Sequence, residues 1–511
     1  MGNRKVKLVD FHCSDYGIPI TNEKLYEKLE QCTRNGLDNE SRELYRKLLL
    51  ESPQRVRHLS HDIEVLSRTN CREQRLALYE KTIRSLMTDA INGLFKKTGK
   101  SAKDIDFIVV TSSVGKTMPS AASIVASAFS FPSHAVTLNL GDMACSSGLA
   151  ALDAGIRFLR SENRPARCLV IALEAVSNLF NQSQDGVIPN VVFGEGCAAL
   201  LISTYREPAL YGIDESVRTI SSGNQEFEAI RYIEGSGGPA IRLSRTLPKV
   251  AARGIEQNLR ILVPKIASTS EKIHYAVTKK VPDWQSKIDY WALHPGGTAV
   301  LSGLAKSLKL SKGDLAFSFR VFEQRSNMSS PSIFYVLDEI EKTGPKTGKR
   351  VFMMSFGSGF KVNSMILTRI ARGAPQPTTA LKILRDGDCL KINLPNQAES
   401  SPQNQNFSGL GYTQEDDPAL AVKQLWKHTL GVDRIIVSPC VLPLLANDKI
   451  LRFIRESYRL LLPGGSVEVP SKSDHDKTST ENLAFFAKLK SEIQSVSADF
   501  NSEARKISVG A

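Results

Sequence analysis

Two pairs of matching segments constrain this chain more than anything else in it. The Ile-Asp pair that opens IDFIVVTSS at 105–113 returns in IDYWALHPG at 288–296. At a comparable separation each is followed by Phe-Gly-x-Gly, in FGEGCAALLIS at 193–203 and FGSGFKVNSMIL at 356–367. A strand after Ile-Asp and a glycine turn ahead of a further strand therefore occur twice, which predicts two copies of one unit. Among these landmarks, β-rich strings such as DFIVV (106–110), RCLVIALE (167–174) and RVFMMSFG (350–357) alternate with helix-like segments. That alternation predicts α/β layering with buried strands.

A chain of 511 residues has room for the duplicated unit and more. With 41% hydrophobic and 23% charged residues it cannot be mainly disordered, because disorder needs low hydrophobicity with high net charge. The first 105 residues read as mainly helical, through mixed apolar and charged runs at 22–53 and 72–99. Past Gly373 the texture changes. GAPQPTT (373–379) has the composition of a linker, and 396–409 is rich in Pro, Gln and Asn. The expected divisions are 1–204 and 205–372 for the two halves, 373–409 for a linker and 410–511 for a small α/β appendage. In that appendage 419–430 and 447–461 read as helices, RIIVS (434–438) as a strand and LPGG (462–465) as a turn.

Eight cysteines are scattered without paired spacing, as in reduced intracellular proteins. No CxxC or HxxxH pair supports a metal. No stretch approaches the roughly 18 apolar residues of a membrane helix, and MGNRKVKLVDFHC has no signal-peptide core, so the expected location is cytoplasmic. The net charge of +13 allows phosphate-bearing ligands. Its basic residues are dispersed, without a dense block or interleaved aromatics. Nucleic acid is therefore not an expected partner, and a membrane surface is allowed but not indicated.

Chemistry concentrates in the duplicated part. Cys145 precedes a segment in which Leu149, Leu152, Ile156 and Leu159 recur at helical spacing, placing the thiol at a helix N-terminus. The macrodipole there favours a thiolate and predicts a lowered thiol pKa. A buried, inert cysteine is the competing reading, and Cys168 and Cys197 in strand-like strings exemplify it. His294 closes the apolar string YWALHPGG, where an imidazole is displayed for proton transfer or merely shapes a turn. Asn327 in RSNMSSPSIFYVLDEI supplies an amide donor or caps the following helix. One reaction unites the three: a thiolate takes an acyl group while His and Asn stabilise the enolate oxygen left when a malonyl thioester loses carbon dioxide.

The segments around Cys145, His294 and Asn327, with Phe193-Gly-Glu-Gly and Phe356-Gly-Ser-Gly, resemble thiolase-superfamily condensing enzymes, most closely type III polyketide synthases of the chalcone synthase kind. HPGGTAVL and SNMSSPSIFYVLDE carry the resemblance, which spans roughly 105–372. It implies a duplicated five-layer αβαβα fold, a homodimer, acyl-CoA and malonyl-CoA as substrates, no further cofactor, and Cys145, His294 and Asn327 as the catalytic triad. It also implies an acyl oxyanion hole from backbone N–H groups near Cys145 and at Gly357-Ser358. Met118 matches a methionine pushed into the partner subunit through a Met-Pro turn that suits a cis bond, and Phe193 matches a gatekeeper. The second gatekeeper position offers Ile241 or Arg242, and Arg55 and Arg57 lie near a coenzyme A phosphate position. FGSGFKVNS departs from the family's Gly-Phe-Gly-Pro-Gly string and is similar to plant very-long-chain ketoacyl-CoA synthases. A single-condensation β-ketoacyl synthase is therefore the first alternative, and a non-catalytic thiolase-fold scaffold the second. The segment 432–469 resembles the later half of class I methyltransferases, without the glycine-rich loop that would cradle S-adenosylmethionine.

Overall fold

The computed structural model describes residues 5–370 apart from 34–37, 70, 116, 236–237 and 279–282, together with the backbone of six later strands. The chain divides into two compact units, Met1–Arg372 and Gly373–Ala511.

Nine strands form the main sheet of the first unit: β1 (Lys7–Cys13), β2 (Phe107–Thr111), β3 (Val136–Leu140), β4 (Arg167–Glu174), β5 (Gly196–Ser203), β6 (Tyr211–Ile220), β7 (Tyr290–Leu293), β8 (Arg350–Gly357) and β9 (Lys361–Arg369). Their order is β7-β8-β9-β6-β1-β5-β4-β2-β3. The duplication is written into this order. β2 pairs parallel with β4 as β7 does with β8, and β4 runs antiparallel to β5 as β8 does to β9. β1 and β6 then meet in the middle through Lys7–Gly212 and Leu8–Tyr211. Among the described strands, only the edge strand β3 lacks a counterpart in the second half.

Strand periodicity builds the layers. Successive side chains point to opposite faces, so in β4 Cys168, Val170 and Ala172 join one core while Leu169, Ile171 and Leu173 join another. In β8, Val351 and Met353 share the first of these cores, whereas Phe352, Met354 and Phe356 enter a third. Five helices complete the arrangement: α1 (Arg72–Thr98), α2 (Ser147–Ser161), α3 (Leu247–Ile266), α4 (Thr298–Leu308) and α5 (Ser332–Glu341). α1 covers the outer face of the N-terminal half, α3 and α4 cover that of the C-terminal half, and α2 and α5 fill the core between. The result is the αβαβα layering. The face of α2 carrying Leu149, Leu152, Ile156 and Leu159 is fully inside, and truncating one of these leucines to alanine costs about 2–5 kcal/mol in such cores.

The N-terminal segment departs from its helical reading. Helices Asn22–Thr33, Asn39–Leu50 and α1 do form, but Lys7–Cys13 is a central strand with Leu8, Val9, Phe11 and Cys13 buried. Its burial on both faces removes the alternation by which a half-exposed strand is read. A further strand pair, Ile18–Thr21 with Val56–Leu59, brackets the first two helices. No described helix is long and apolar enough to cross a membrane.

Among the described residues the second unit holds six strands: Lys382–Asp386, Cys389–Asn393, Gln405–Asn406, Val432–Val437, Leu461–Val469 and Lys506–Val509. The first three fall inside 373–409, which composition had assigned to a linker. The reason is legible afterwards: Asp386-Gly387-Asp388 between two β-rich runs is a hairpin signal, and Lys382–Asp386 does pair antiparallel with Cys389–Asn393. Leu461–Val469 runs through the Leu-Pro-Gly-Gly read as a turn, with a register shift against Val432–Val437 that accommodates the extra residues. The expected helices at 419–430 and 447–461, and the linker string 373–379, lie outside the described residues, save that Leu461 begins a strand.

Candidate active site

Cys145 lies in the 3-10 turn Ala144–Ser146, which runs directly into α2. The chain reaches it through Asp142 at φ 63° and Ala144 at φ 48°. Alanine seldom adopts this left-handed region because its Cβ crowds the following carbonyl, so the surroundings must hold it there. They do so with hydrogen bonds. The Ser146 and Ser147 hydroxyls donate to the Met143 and Ala144 carbonyls at 2.7 Å each, and the Asn363 amide donates to the Ser146 carbonyl at 2.6 Å. Gly357, at the end of β8, presses against the same turn: an added Cβ would stand 2.0 Å from the Met143 carbonyl oxygen and 2.7 Å from the Ser146 nitrogen. Both are backbone atoms that cannot swing aside. Gly357→Ala is accordingly expected to cost about 3 kcal/mol or more, seen as a lower urea midpoint with an unchanged slope.

Asn327 occupies the matching place ahead of the other central helix, α5. It too follows a residue held at positive φ, Ser326 at 66°. Its Oδ1 accepts the Ser329 N–H at 2.8 Å, and its amide reaches the Gly296 carbonyl at 3.5 Å. Its backbone forms an isolated bridge with Phe193, in which Gly194 N–H donates to the Asn327 carbonyl at 3.0 Å and Asn327 N–H to the Val192 carbonyl at 3.2 Å. The Asn327 and Ser329 side chains both lie near enough to Cys145 to lower the proton affinity of its thiol. Asn327 thus acts on the Cys145 thiol on one side and reaches, through Gly296, the turn after His294 on the other.

His294 sits just past β7, with its N–H donating to the Met354 carbonyl at 3.0 Å and its ring edge-on to Phe356 at 6.3 Å. The ring is buried, and among the described residues neither nitrogen has a hydrogen-bond partner. Buried polar atoms without partners are rare in folded proteins and mark groups reserved for something else. Burial alone pushes the imidazole down to about 3, so it is neutral at physiological pH.

The thiol departs from the sequence expectation. Burial pushes Cys145 up to about 12; hydrogen bonds from Ser329 and Asn327 pull it back, and the Glu174 charge raises it further. Loss of water around a buried sulfur outweighs the pull of the helix terminus that had predicted a lowered value. The resting pair is a neutral thiol and a neutral imidazole. Cys168 and Cys197 are also pushed up by burial, and both lie within strands as inert core thiols.

Glu174 is a site residue that the sequence reading missed. It ends β4, fully buried, accepting from Ser113 and Val114 N–H at 3.1 Å and from the Ser329 hydroxyl at 3.4 Å. Burial pushes it up to about 7 against those hydrogen bonds. The signal was present, since Glu174 closes the apolar string RCLVIALE as His294 closes YWALH. Its charge opposes thiolate formation through Ser329's neighbourhood. Glu174→Gln is therefore expected to speed iodoacetamide alkylation of Cys145 several-fold at pH 8, where the wild-type carboxylate is ionised, and to change it little near pH 5.

Other anticipated residues fall as follows. Phe193 is buried with Val114, Val176 and Leu179, and Ile241, not Arg242, packs against this group. The Ser358 hydroxyl donates to the Ile230 carbonyl at 3.0 Å. Met118 is 97% exposed, and its bond to Pro119 is cis. Arg55 is exposed, 3.9 Å from Glu323. Arg57 corrects the phosphate-binding expectation: it is fully buried, its guanidinium donating to the Asn190 carbonyl at 2.8 Å and to Asn22 Oδ1 at 3.2 Å. It faces inward toward Asn22 and Asn190, so it offers nothing to a phosphate arriving from solvent.

Comparison with known proteins bears on this arrangement. Residues 1–281 match the family model described as FAE1/type III polyketide synthase-like protein, and 236–371 match the C-terminal domain of chalcone and stilbene synthases. Among curated proteins, the chain is 32% identical over 323 residues to 3-ketoacyl-CoA synthase 16 of Arabidopsis thaliana, covering 59% of this chain and 65% of that protein. It is 29% identical over 388 residues to 3-ketoacyl-CoA synthase 9 of the same plant, covering 71% and 74%. The chain thus spans about two thirds of the length of the former. The fold matches the C-terminal type III polyketide synthase domain of Steely1 from Dictyostelium, with TM-score 0.61 and 21% identity, covering 72% of this chain and 100% of the other. PKS-I of the brown alga Ectocarpus siliculosus matches at TM-score 0.61 and 19% identity, over 72% of this chain and 100% of its own.

Proposed function

Because this chain belongs to the FAE1/type III polyketide synthase-like family, we propose that it is a decarboxylative condensing enzyme that extends an acyl-CoA starter with malonyl-CoA through an acyl group on Cys145. The observation that carries the reading is the position of Asn327 between the Cys145 thiol and the turn that follows His294. His294 takes the thiol proton as the sulfur attacks the starter thioester, and returns it to the departing coenzyme A thiolate. Malonyl-CoA then loses carbon dioxide, and the electron pair of the broken carbon–carbon bond forms an enolate. The His294 and Asn327 N–H groups donate to its oxygen. The enolate carbon attacks the acyl carbonyl on Cys145, releasing the thiolate, while N–H groups of Cys145 and Ser358 receive the transient acyl oxyanion.

A small cleft beside Phe193 is lined mainly by apolar side chains, among them Leu59, Ile63, Leu66, Val176 and Leu179. A single condensation is the second reading, favoured by the 3-ketoacyl-CoA synthase relatives and by FGSG at 356–359. Homodimer formation belongs to the same proposal, supported by exposed Met118 and by the edge strand β3, whose Val136 is 49% exposed. Light scattering checks the dimer, and cell fractionation checks cytoplasmic residence. For the reaction, purified protein is incubated with malonyl-CoA and a ladder of acyl-CoA starters, and products are read by mass spectrometry. Several added ketide units establish polyketide synthesis, a single β-keto product establishes the second reading, and no product overturns both.

A further inference from the structure

Arg57 is among the largest fully buried side chains, and among the described residues no carboxylate stands within ion-pair distance of it. A cation taken out of water without an anion is costly, so its retention needs a reason beyond packing. Its surroundings supply one. The helix Val187–Val192 is only six residues long, and its last carbonyls have no partner within the helix. Each is met from elsewhere. Pro189 accepts from the Phe193 N–H at 3.2 Å, Asn190 from Arg57 at 2.8 Å, Val191 from Gln54 Nε2 at 3.3 Å, and Val192 from the Asn327 N–H at 3.2 Å. A cation at the negative end of a helix is also electrostatically favoured.

The segment that this end anchors is the one that touches the candidate site. Phe193 follows the helix, Gly194 returns a hydrogen bond to the Asn327 carbonyl, and an added Cβ on Gly194 would stand 2.3 Å from the Ser326 hydroxyl. Any drift of the helix end is therefore passed to Ser326 and Asn327. We propose that Arg57, with Gln54 beside it, is a positioning residue that fixes the C-terminal carbonyls of Val187–Val192 and so aims the Asn327 amide. This rests on the condensing reaction proposed above, and it replaces the phosphate-binding role that the sequence suggested.

The test is a set of kinetic cycles on the full-length chain, using malonyl-CoA decarboxylation and the starter-dependent condensation as readouts. Arg57→Lys keeps the charge but cannot span both acceptors, and Gln54→Ala frees the neighbouring carbonyl without touching Arg57, so a folding failure in one leaves the other informative. Each is expected to lower kcat for decarboxylation roughly tenfold while KM for both coenzyme A esters stays near wild type. In an Asn327→Ala background the same substitutions should have almost no further effect, because the residue they aim is gone. Additive losses in that background would reduce Arg57 to a structural role and overturn the proposal. A raised KM for coenzyme A esters at unchanged kcat would overturn it in favour of phosphate binding. Absence of Cys145-dependent condensation in the wild type would instead sink the underlying reaction.

Discussion

Cys145→Ala is expected to lower condensation by at least about a thousandfold, since no other described thiol stands where Asn327 and Ser329 can reach it. The fold should survive the change. The side chain loses one sulfur inside a turn held by the Ser146, Ser147 and Asn363 hydrogen bonds, so thermal unfolding should move by only a few degrees. Mass spectrometry of the intact protein after mixing with acyl-CoA separates the outcomes: wild type gains the acyl mass, and Cys145→Ala does not. An acylated Cys145→Ala protein would move the nucleophile elsewhere. Malonyl-CoA decarboxylation without a starter should persist in part, because the enolate donors remain.

His294→Ala has the complementary signature. Losing a preformed donor to a developing oxyanion lowers decarboxylation on the order of a hundredfold or more, even with Cys145 intact. Alkylation of the thiol should slow as well, since the proton acceptor is gone. The imidazole also sets an acid limit on the fold. Its value is depressed in the folded state to about 3 from the ordinary 6.5, so the unfolded chain takes up the proton more readily. Stability from a neutral His294 is fully present above pH 6.5 and is lost as pH falls from there toward 3. A His294→Gln variant should therefore show a shallower loss of stability over that window in denaturant titrations, and an identical slope would refute the burial argument.

The layering was legible because both halves carry the same landmarks and because buried strands such as RCLVIALE and RVFMMSFG are long and apolar. β1 was not, because KLVDFHC is short and lies among strong helical runs, and its pairing partners β5 and β6 are nearly two hundred residues away. At the site, Cys145, His294 and Asn327 could be picked by residue type and local setting. The chemistry of the cysteine was misjudged, because a helix N-terminus can be read from a sequence while the loss of water around one sulfur depends on every neighbour. Glu174 was passed over although it obeys the rule that found His294. Arg57 was misplaced for a related reason: two arginines in a row of polar residues look like surface, and only the pairing of Val56–Leu59 with Ile18–Thr21 turns one of them inward.

Cys145 and Asn327 stand at equivalent stations, each after a residue with a left-handed backbone and each at the head of one of the two central helices. Two identical halves meeting across that seam would present the same side chain twice, either a pair of thiols or a pair of amides. The proposed reaction needs unlike partners facing one another. Joining both halves in one chain is what allows the two stations to carry different residues, so the catalytic asymmetry is a property of the tandem arrangement and is absent from either half alone.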